Sequence, residues 1–337
     1  MKLNNLINVR FPAELICKGL VRDHNLPVNV QSKRINMKTK NLLILLIAVI
    51  GFASCSKQED IMVPGTNGTA ERKSSSGNVT GPIGNVPATF TQKAILENFT
   101  SSSNRNCADN DLMIRNAMNA YPGRIIPVSF HVNDAMYNSP SHYLISYITG
   151  GSMPAIPGVM QNRKTYNGKL INDNQTWNSN LSSTLSGIPC TGLAIHTVVS
   201  GNSVRAEVHC GFNSNTTGDF RLMIYVSRNN VTGAGSGYDQ ANGSNNNPSS
   251  PLYNMGDPIA NYIHNYVAYN MVTPVAGISI PESCQVPGGR FIRNEIIDYP
   301  GGISTGNLFV IAFIVNAADG TVLNAQQVQA GRTQNWD

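Results

Sequence analysis

The side chains of this 337-residue chain best suited to chemistry are its six cysteines: Cys17, Cys55, Cys107, Cys190, Cys210 and Cys284. A thiol can attack as a thiolate, take a lipid or close a disulfide, and its surroundings decide which. Cys107 ends the tetrad Asn104-Arg105-Asn106-Cys107, just before a segment with helical periodicity. A cysteine at position 104 would make this a Cys-x-x-Cys dithiol. In such a pair the first thiolate, stabilised at the helix N-terminus, attacks and the second resolves the mixed disulfide. Asn104 stands there instead, and an amide forms no mixed disulfide. Cys107 holds the position of the second, more buried thiol. It reads as a structural thiol or half of a disulfide.

Other chemistries have little to draw on. His131, His142, His196 and His209 show no HExxH or comparable ligand spacing. Asp109-Asn110-Asp111 is too short for a calcium loop and suits a helix start, where acidic groups meet the positive end of the dipole. There is no Gly-x-Ser-x-Gly, Walker A or dinucleotide fingerprint, and Gly233-x-Gly235-x-Gly237 lacks the strand and helix such a fingerprint needs. The expectation is a chain with no metal, no cofactor and no enzymatic activity.

Cys55 has a different setting. Residues 37–55 read MKTKNLLILLIAVIGFASC, with Lys38 and Lys40 ahead of an uncharged apolar run over 42–52. That run is too short for a membrane-spanning helix and right for a signal-peptide core. Small residues before Cys55 suit lipoprotein processing, in which cleavage leaves Cys55 as a lipidated N-terminus. Residues 1–36 read as an extension ahead of the true start at Met37. The Lys57-Gln58-Glu59-Asp60 cluster resembles an acidic tether signal that sends lipoproteins to the outer face of the outer membrane. Membrane attachment through the lipid is thus the first expected partnership.

Removing residues 1–54 changes the charge argument. They carry eight of the 24 Lys and Arg and two of the 19 Asp and Glu, leaving 16 basic and 17 acidic residues. The formal charge of +5 becomes −1, so global charge makes no case for nucleic acid.

Residues 55–90 are rich in Gly, Ser, Thr, Asn and Pro and read as a flexible tether. Beyond them, strand and helix patterns alternate to about residue 190, then strands follow strands. The expectation is an α/β domain over 91–190 and an all-β domain over 191–337. In the first, 93–99 and 124–132 read as strands, 109–121 as a helix, and Pro127 as the mark of an edge or bulge. Ser139 and Pro140 open a second helix whose apolar face holds Tyr143, Leu144, Tyr147 and Ile148. A strand over 155–160 follows, then a helix marked by Trp177, Leu181 and Leu185. In the second domain, strands are expected at 193–199, 204–212, 220–226, 262–271, 308–315 and 322–328. Gly201-Asn202 reads as a two-residue hairpin turn, so paired residues sum to 403. Residues 233–251 read as a long mobile loop.

Strand, polar loop, cysteine, helix, strand, helix and X-Pro before a strand is the thioredoxin order. Pro154 takes the cis-proline position flanking such sites, so Asn104, Cys107 and Pro154 form a degenerate redox motif. The second domain suggests an immunoglobulin-like β-sandwich. Cys107, Cys190, Cys210 and Cys284 allow two disulfides in three pairings. Cys210 faces Leu193 in the hairpin, so a Cys190–Cys210 bond would need a bulge.

The chain resembles the lipoproteins related to the 28-kDa outer membrane protein. The resemblance rests on residues 95–100, the loop ending at Cys107, residues 126–132, Gly151-Ser152-Met153-Pro154 followed by Asn162-Arg163, residues 262–267 and the final hairpin. It implies a thioredoxin-like domain, a β-sandwich and an outer-membrane location, with adhesion among the suggested roles. Asn104 departs from it, since members often carry a cysteine there. The leading expectation is a non-enzymatic lipoprotein binding a protein or glycan at the envelope or cell surface. The alternative is a disulfide carrier or chaperone acting through Cys107.

Overall fold

The structure, a computed structural model, describes residues 83–337. The N-terminal extension, the signal segment, Cys55 and most of the tether lie outside the described residues. The elements run β1 (Ala94–Thr100), α1 (Cys107–Ala120), β2 (Ile125–His131), α2 (Ser139–Thr149), β3 (Gly158–Gln161), α3 (Asn174–Leu185), β4 (Thr191–Ser200), β5 (Ser203–Phe212), β6 (Phe220–Arg228), β7 (Val267–Met271), β8 (Ile278–Ser279), β9 (Arg290–Asp298), β10 (Leu308–Asn316), β11 (Val322–Gln329) and β12 (Thr333–Gln334). A mixed α/β sheet is followed by an antiparallel all-β sheet, consistent with a thioredoxin-like plus β-sandwich architecture. The larger sheet has the order β11-β10-β6-β7-β2-β1-β3, with β8 added to β6, and the smaller has the order β12-β4-β5-β9.

Period-2 alternation sorts the side chains of the large sheet into three cores. On β1, Ala94 and Leu96 face α1 and α3, where they meet Ile114, Trp177, Leu181 and Leu185. Ile95 and Phe99 face the other way, onto Phe130, Tyr225 and Phe313. On β6, Leu222, Ile224 and Val226 point into the sandwich against Leu193, Ile195 and Val208, while Met223 and Tyr225 point into the second core. Strands covered on both faces read as continuous apolar runs, as LFVIAFIVN of β10 does.

The sheet curls until its ends meet. Val322 at the start of β11 donates its N–H to Asn162 O just after β3 (2.8 Å), and Asn162 N donates to Ile95 O (3.0 Å). The Asn162 side chain accepts from Ile95 N (2.8 Å). Lys93 N donates to Asn324 Oδ1 (3.0 Å) and Gln92 Nε2 to Leu323 O (3.0 Å). Asn162 and Arg163 both lie in the left-handed region, at φ 48° and 51°. That turn sends the Arg163 guanidinium into the curled sheet. There Nε and Nη2 each donate to a Glu97 carboxylate oxygen at 2.7 Å, and Nη2 also donates to Tyr225 Oη (3.0 Å). The guanidinium lies over the Phe313 ring at 5.3 Å. Burial alone would disfavour the Arg163 charge; Glu97 and Tyr225 more than restore it and hold its pKa above the arginine range.

Several expectations hold in detail. The hairpin has Leu193 opposite Cys210, His196 opposite Glu207 and Ala194 opposite His209. Trp177, Leu181 and Leu185 are all buried. Pro127, by contrast, marks neither a sheet edge nor a bulge, since β2 lies between β7 and β1 and pairs with β1 without a register shift, yet it costs no hydrogen bond. Ser129 N reaches Tyr266 O beside β7, so Pro127, two residues back, faces the same side, where β7 pairs with β2 only through Ser129 and Val267.

Others need correction. α1 begins at Cys107, two residues earlier than expected. Asn138, not Ser139, caps α2 through Ser141 N (3.1 Å). The inward face of α2 carries Leu144 and Ile145, leaving Tyr143 and Tyr147 more than half exposed. β9 was missed. Its sequence alternates, but it is an edge strand with Ile292 and Ile296 facing out.

Cys107 and Cys210 are free and buried. Cys190 and Cys284 are disulfide-bonded, which makes them each other's partner among the described residues. The segments that carry them meet where Asn213 N donates to Cys190 O and Thr216 N to Gln285 O. Cys210 instead fills the sandwich core opposite Leu193, and burial raises its thiol pKa.

Removing one partner of a buried ion pair costs about 3–5 kcal/mol, whereas replacing both with apolar groups is often near neutral. Arg163→Met should therefore lower stability by about that amount in urea unfolding, and Glu97→Leu/Arg163→Met should recover most of the loss. A double variant as unstable as the single one would count against the pair as the cause.

Candidate functional site

The degenerate redox position sits where the thioredoxin order puts it, at the end of the loop after β1. Cys107 is the first residue of α1, and its N–H donates to Asn104 O (3.1 Å). The Asn104 side chain accepts from Asn106 N (2.9 Å) and donates Nδ2 to Ile156 O (3.0 Å). Ile156 precedes the cis proline, which is Pro157, not Pro154. Pro154 lies three residues earlier in the turn after α2. The expected strand over 155–160 begins only at Gly158, so the residue flanking the site is Pro157.

The thiol here is poorly placed to react. Cys107 is fully buried, and its Sγ accepts from Ser101 N (3.4 Å). Burial pushes the thiol up to about 11, against the lowering effect of Thr100 and Ser101. A reactive cysteine needs the opposite shift.

The chain's own fold also covers this surface. Residues 229–266, between β6 and β7, run back over the loop before α1. Ala241 N donates to Ser102 O (2.8 Å) and Gly243 N to Arg105 O (2.9 Å). Gln240, fully buried, points Nε2 at the carbonyls of Ser101, Ser102 and Asn104 (3.1–3.4 Å). Arg105 pairs with Asp257 (2.6 Å), and Ser244 Oγ donates to the Asp109 carboxylate. Ala108 packs on Leu252, Ile259 and Tyr262. Gly237 permits the close approach, since a Cβ there would lie 2.7 Å from that of Ala135. The segment expected to be a mobile loop is thus packed down. Its Asn, Ser and Gly residues satisfy backbone groups instead of waving in solvent, as Asn242 does by donating to Leu252 O and Gly256 O (both 2.9 Å).

Beneath it lies a titratable cluster. His131 Nδ1 donates to Asp134 Oδ2 (2.7 Å), which also accepts from Ser102 N (2.8 Å). Burial would raise Asp134, but His131 and the amides of Ser102 and Met136 outweigh it and hold the carboxyl below its ordinary range. His264 stacks edge-on to His131 at 5.2 Å and donates Nε2 to Tyr238 O (2.7 Å). Burial brings His264 down to about 4 and pushes Asp111 up to about 6. Among the described residues no group of three or more His, Cys, Asp or Glu is placed to hold a metal ion.

A second feature was not legible as a motif. A cleft of about 360 Å³ opens at one mouth of the curled sheet. Arg163 lies at its base; Met223, Val315 and Leu170 line its walls; Tyr147, Asp219, Arg221 and Asp319 stand at its rim. Arg221 Nε and Nη2 grip the Asp219 carboxylate at 2.9 and 2.6 Å.

No family model matches the chain, and no curated protein does. Among solved structures, HBP35 of Porphyromonas gingivalis is similar at 16% identity with a TM-score of 0.53, over 72% of this chain and 76% of that one. The chain shares its fold with HBP35 over that span. A protein of Agrobacterium tumefaciens is similar at 13% identity with a TM-score of 0.43, over 72% of this chain and 97% of that one. The likeness to HBP35 agrees with the thioredoxin-like plus sandwich architecture.

Two expectations follow from the covered site. Gln240→Ala would remove the amide donor that the Ser101, Ser102 and Asn104 carbonyls share while each keeps a backbone donor, costing about 0.5–1.5 kcal/mol. It should speed Cys107 alkylation under native conditions, whereas the wild-type thiol should react only on unfolding. Equally fast alkylation in both proteins would show that the segment is no cover.

The second expectation concerns pH. Asp111 rises from 3.8 to about 6 on folding, so the folded state binds the extra proton and stability falls as pH rises through this range. His264 drops from 6.5 to about 4, so the unfolded chain binds the extra proton and stability rises with pH there. The two slopes oppose. Urea unfolding of Asp111→Asn between pH 4 and 6.5 should show stability rising with pH, and that of His264→Gln should show it falling, relative to wild type. Slopes of the same sign in both variants would refute the assignment.

Proposed function

We propose that this protein is a non-enzymatic lipoprotein, anchored to the outer membrane through Cys55, that binds a protein or glycan at the cell envelope or surface. The observation that carries the non-enzymatic part is the covered tetrad, with an amide at 104, a buried thiol of raised pKa at 107 and residues 229–266 hydrogen-bonded to the loop that leads into it. The same observation disfavours a disulfide carrier or chaperone working through Cys107. The anchor rests on the sequence of residues 37–55. Among the described residues no helix is long and apolar enough to cross a membrane. A binding role fits a rigid β-scaffold that presents ordered loops and a cleft.

Metabolic labelling with an alkynyl fatty acid tests the anchor. Wild type should take the label and fractionate with outer membranes, and Cys55→Ser should do neither. Label retained by the variant would sink the anchor. In an insulin-reduction assay the protein should not accelerate turbidity over dithiothreitol alone. Acceleration lost in Cys107→Ala would establish the thiol reading instead.

A further inference from the structure

The cleft at the mouth of the curled sheet has a composition that selects one class of ligand, and this inference rests on the binding reading above. Its volume, about 360 Å³, lies at the lower end of small-molecule sites, roughly 300–1,000 Å³, and barrel mouths are a preferred location for them. The lining is polar and apolar in about equal parts, with Met223 and Val315 at the end of the core inside the sheet.

The charges around the cleft are already matched. The Arg163 guanidinium is held by Glu97 and Tyr225. Arg221 and Asp219 form a two-bonded fork at the rim, and Arg221 Nη1 also donates to Ala276 O (3.4 Å). Asp319 accepts from Thr321 N and Oγ1 (2.9 and 2.7 Å). Lys164, beside the lining, has its charge opposed by Asp319 at the rim, so among the described residues the cations at the cleft each face a carboxylate, which lowers the appeal of a charged ligand. What remains is a line of fixed donors and acceptors beside apolar side chains.

The rim also carries an exposed aromatic. Tyr147 is 54% exposed, and Tyr143, one turn earlier on the same face of α2, is 59% exposed. Large aromatics left this open on a helix next to a cleft offer flat faces with negative π-density. The C–H face of a pyranose ring packs on such a face, while its hydroxyls need matched donors and acceptors such as the Asp219–Arg221 fork. A neutral, polyhydroxylated ring with one apolar face meets each of these conditions.

We propose that this cleft is a saccharide site, taking a neutral pyranose between Tyr147 and the Asp219–Arg221 fork. It narrows the ligand from protein or glycan to glycan and gives the site. The test is saturation-transfer NMR on the full-length protein with four methyl pyranosides as probes: glucoside, galactoside, mannoside and N-acetylglucosaminide. At least one should show transfer, strongest on the ring protons of one face. Tyr147→Ala should weaken it at least about tenfold. Ala317→Trp, which fills the rim from an exposed turn, should abolish it, with thermal melting unchanged in both variants. No transfer from any of the four probes would overturn the proposal, as would transfer unaltered in both variants. Retention on immobilised glycans that survives both variants would overturn this site yet leave glycan binding standing. Retention on envelope proteins alone, with no glycan bound, would overturn the saccharide and leave the wider binding reading.

Discussion

The buried Glu97–Arg163 pair is the constraint on which the architecture turns. Glu97 has no exposed surface and Arg163 only 5%, so neither charge can be left without the other. Desolvating two ions costs several kcal/mol each, and only close geometry offsets it. Here the geometry is close because the chain takes two consecutive left-handed residues after β3, at Asn162 and Arg163. The same two residues stitch the ends of the sheet together, Asn162 by its backbone and side chain to β1 and β11, and Arg163 by its guanidinium to β1, β6 and β10. A turn that is unfavourable locally is held by the contacts it makes possible. Arg163 also lines the cleft, so the interaction that closes the sheet shapes the mouth beside it.

The thioredoxin-like half keeps its frame but not the exposed surface on which redox chemistry depends. A working dithiol must meet a partner's disulfide at the helix N-terminus. In this chain that surface is an internal interface. Residues 229–266 supply the extended backbone, the Gln240 amide and the Asp257 carboxylate that an external partner would otherwise offer. The two halves are therefore joined twice, by the continuous sheet and by this overlay. The amide at position 104 and the burial of this surface are separate observations that point the same way.

Much of the frame was legible in the residues, for identifiable reasons. Strands buried on both faces advertise themselves as apolar runs, as in β6 and β10. The Gly201-Asn202 turn sets the register of its hairpin because two-residue loops leave no freedom. Trp177, Leu181 and Leu185 mark a helix by spacing alone. What stayed hidden depends on distant partners. β9 carries charges on an edge, and only Phe291 and Ile297 turn an apolar side chain to the sandwich core. Polar residues 233–251 look like solvent-exposed loop because the bonds that pin them, from Gln240, Ala241, Gly243 and Ser244, reach a segment more than a hundred residues away. Pro154 and Pro157 are near-equivalent in sequence, and only the start of β3 separates them. The cleft draws on five separated segments, and Arg163 looks like an ordinary surface arginine until Glu97 and Tyr225 are placed around it.

Both ends of the described chain are pinned at one place. Gly84 O accepts from Arg290 Nη2 (2.5 Å) and from Trp336 Nε1 (3.0 Å), and Gly84 N donates to Asn335 Oδ1 (3.4 Å). Phe90 then lies on the bare backbone of Gly192, where a Cβ would fall 2.1 Å from its ring, and Thr91 N donates to Asp337 O (2.9 Å). Tension arriving along residues before Ile83 would thus be shared from the outset between β9 and the C-terminal strap. Several bonds would have to yield before the load reached β1. Should residues 55–90 tether the fold as proposed, drag on it would strain this clasp ahead of the cores.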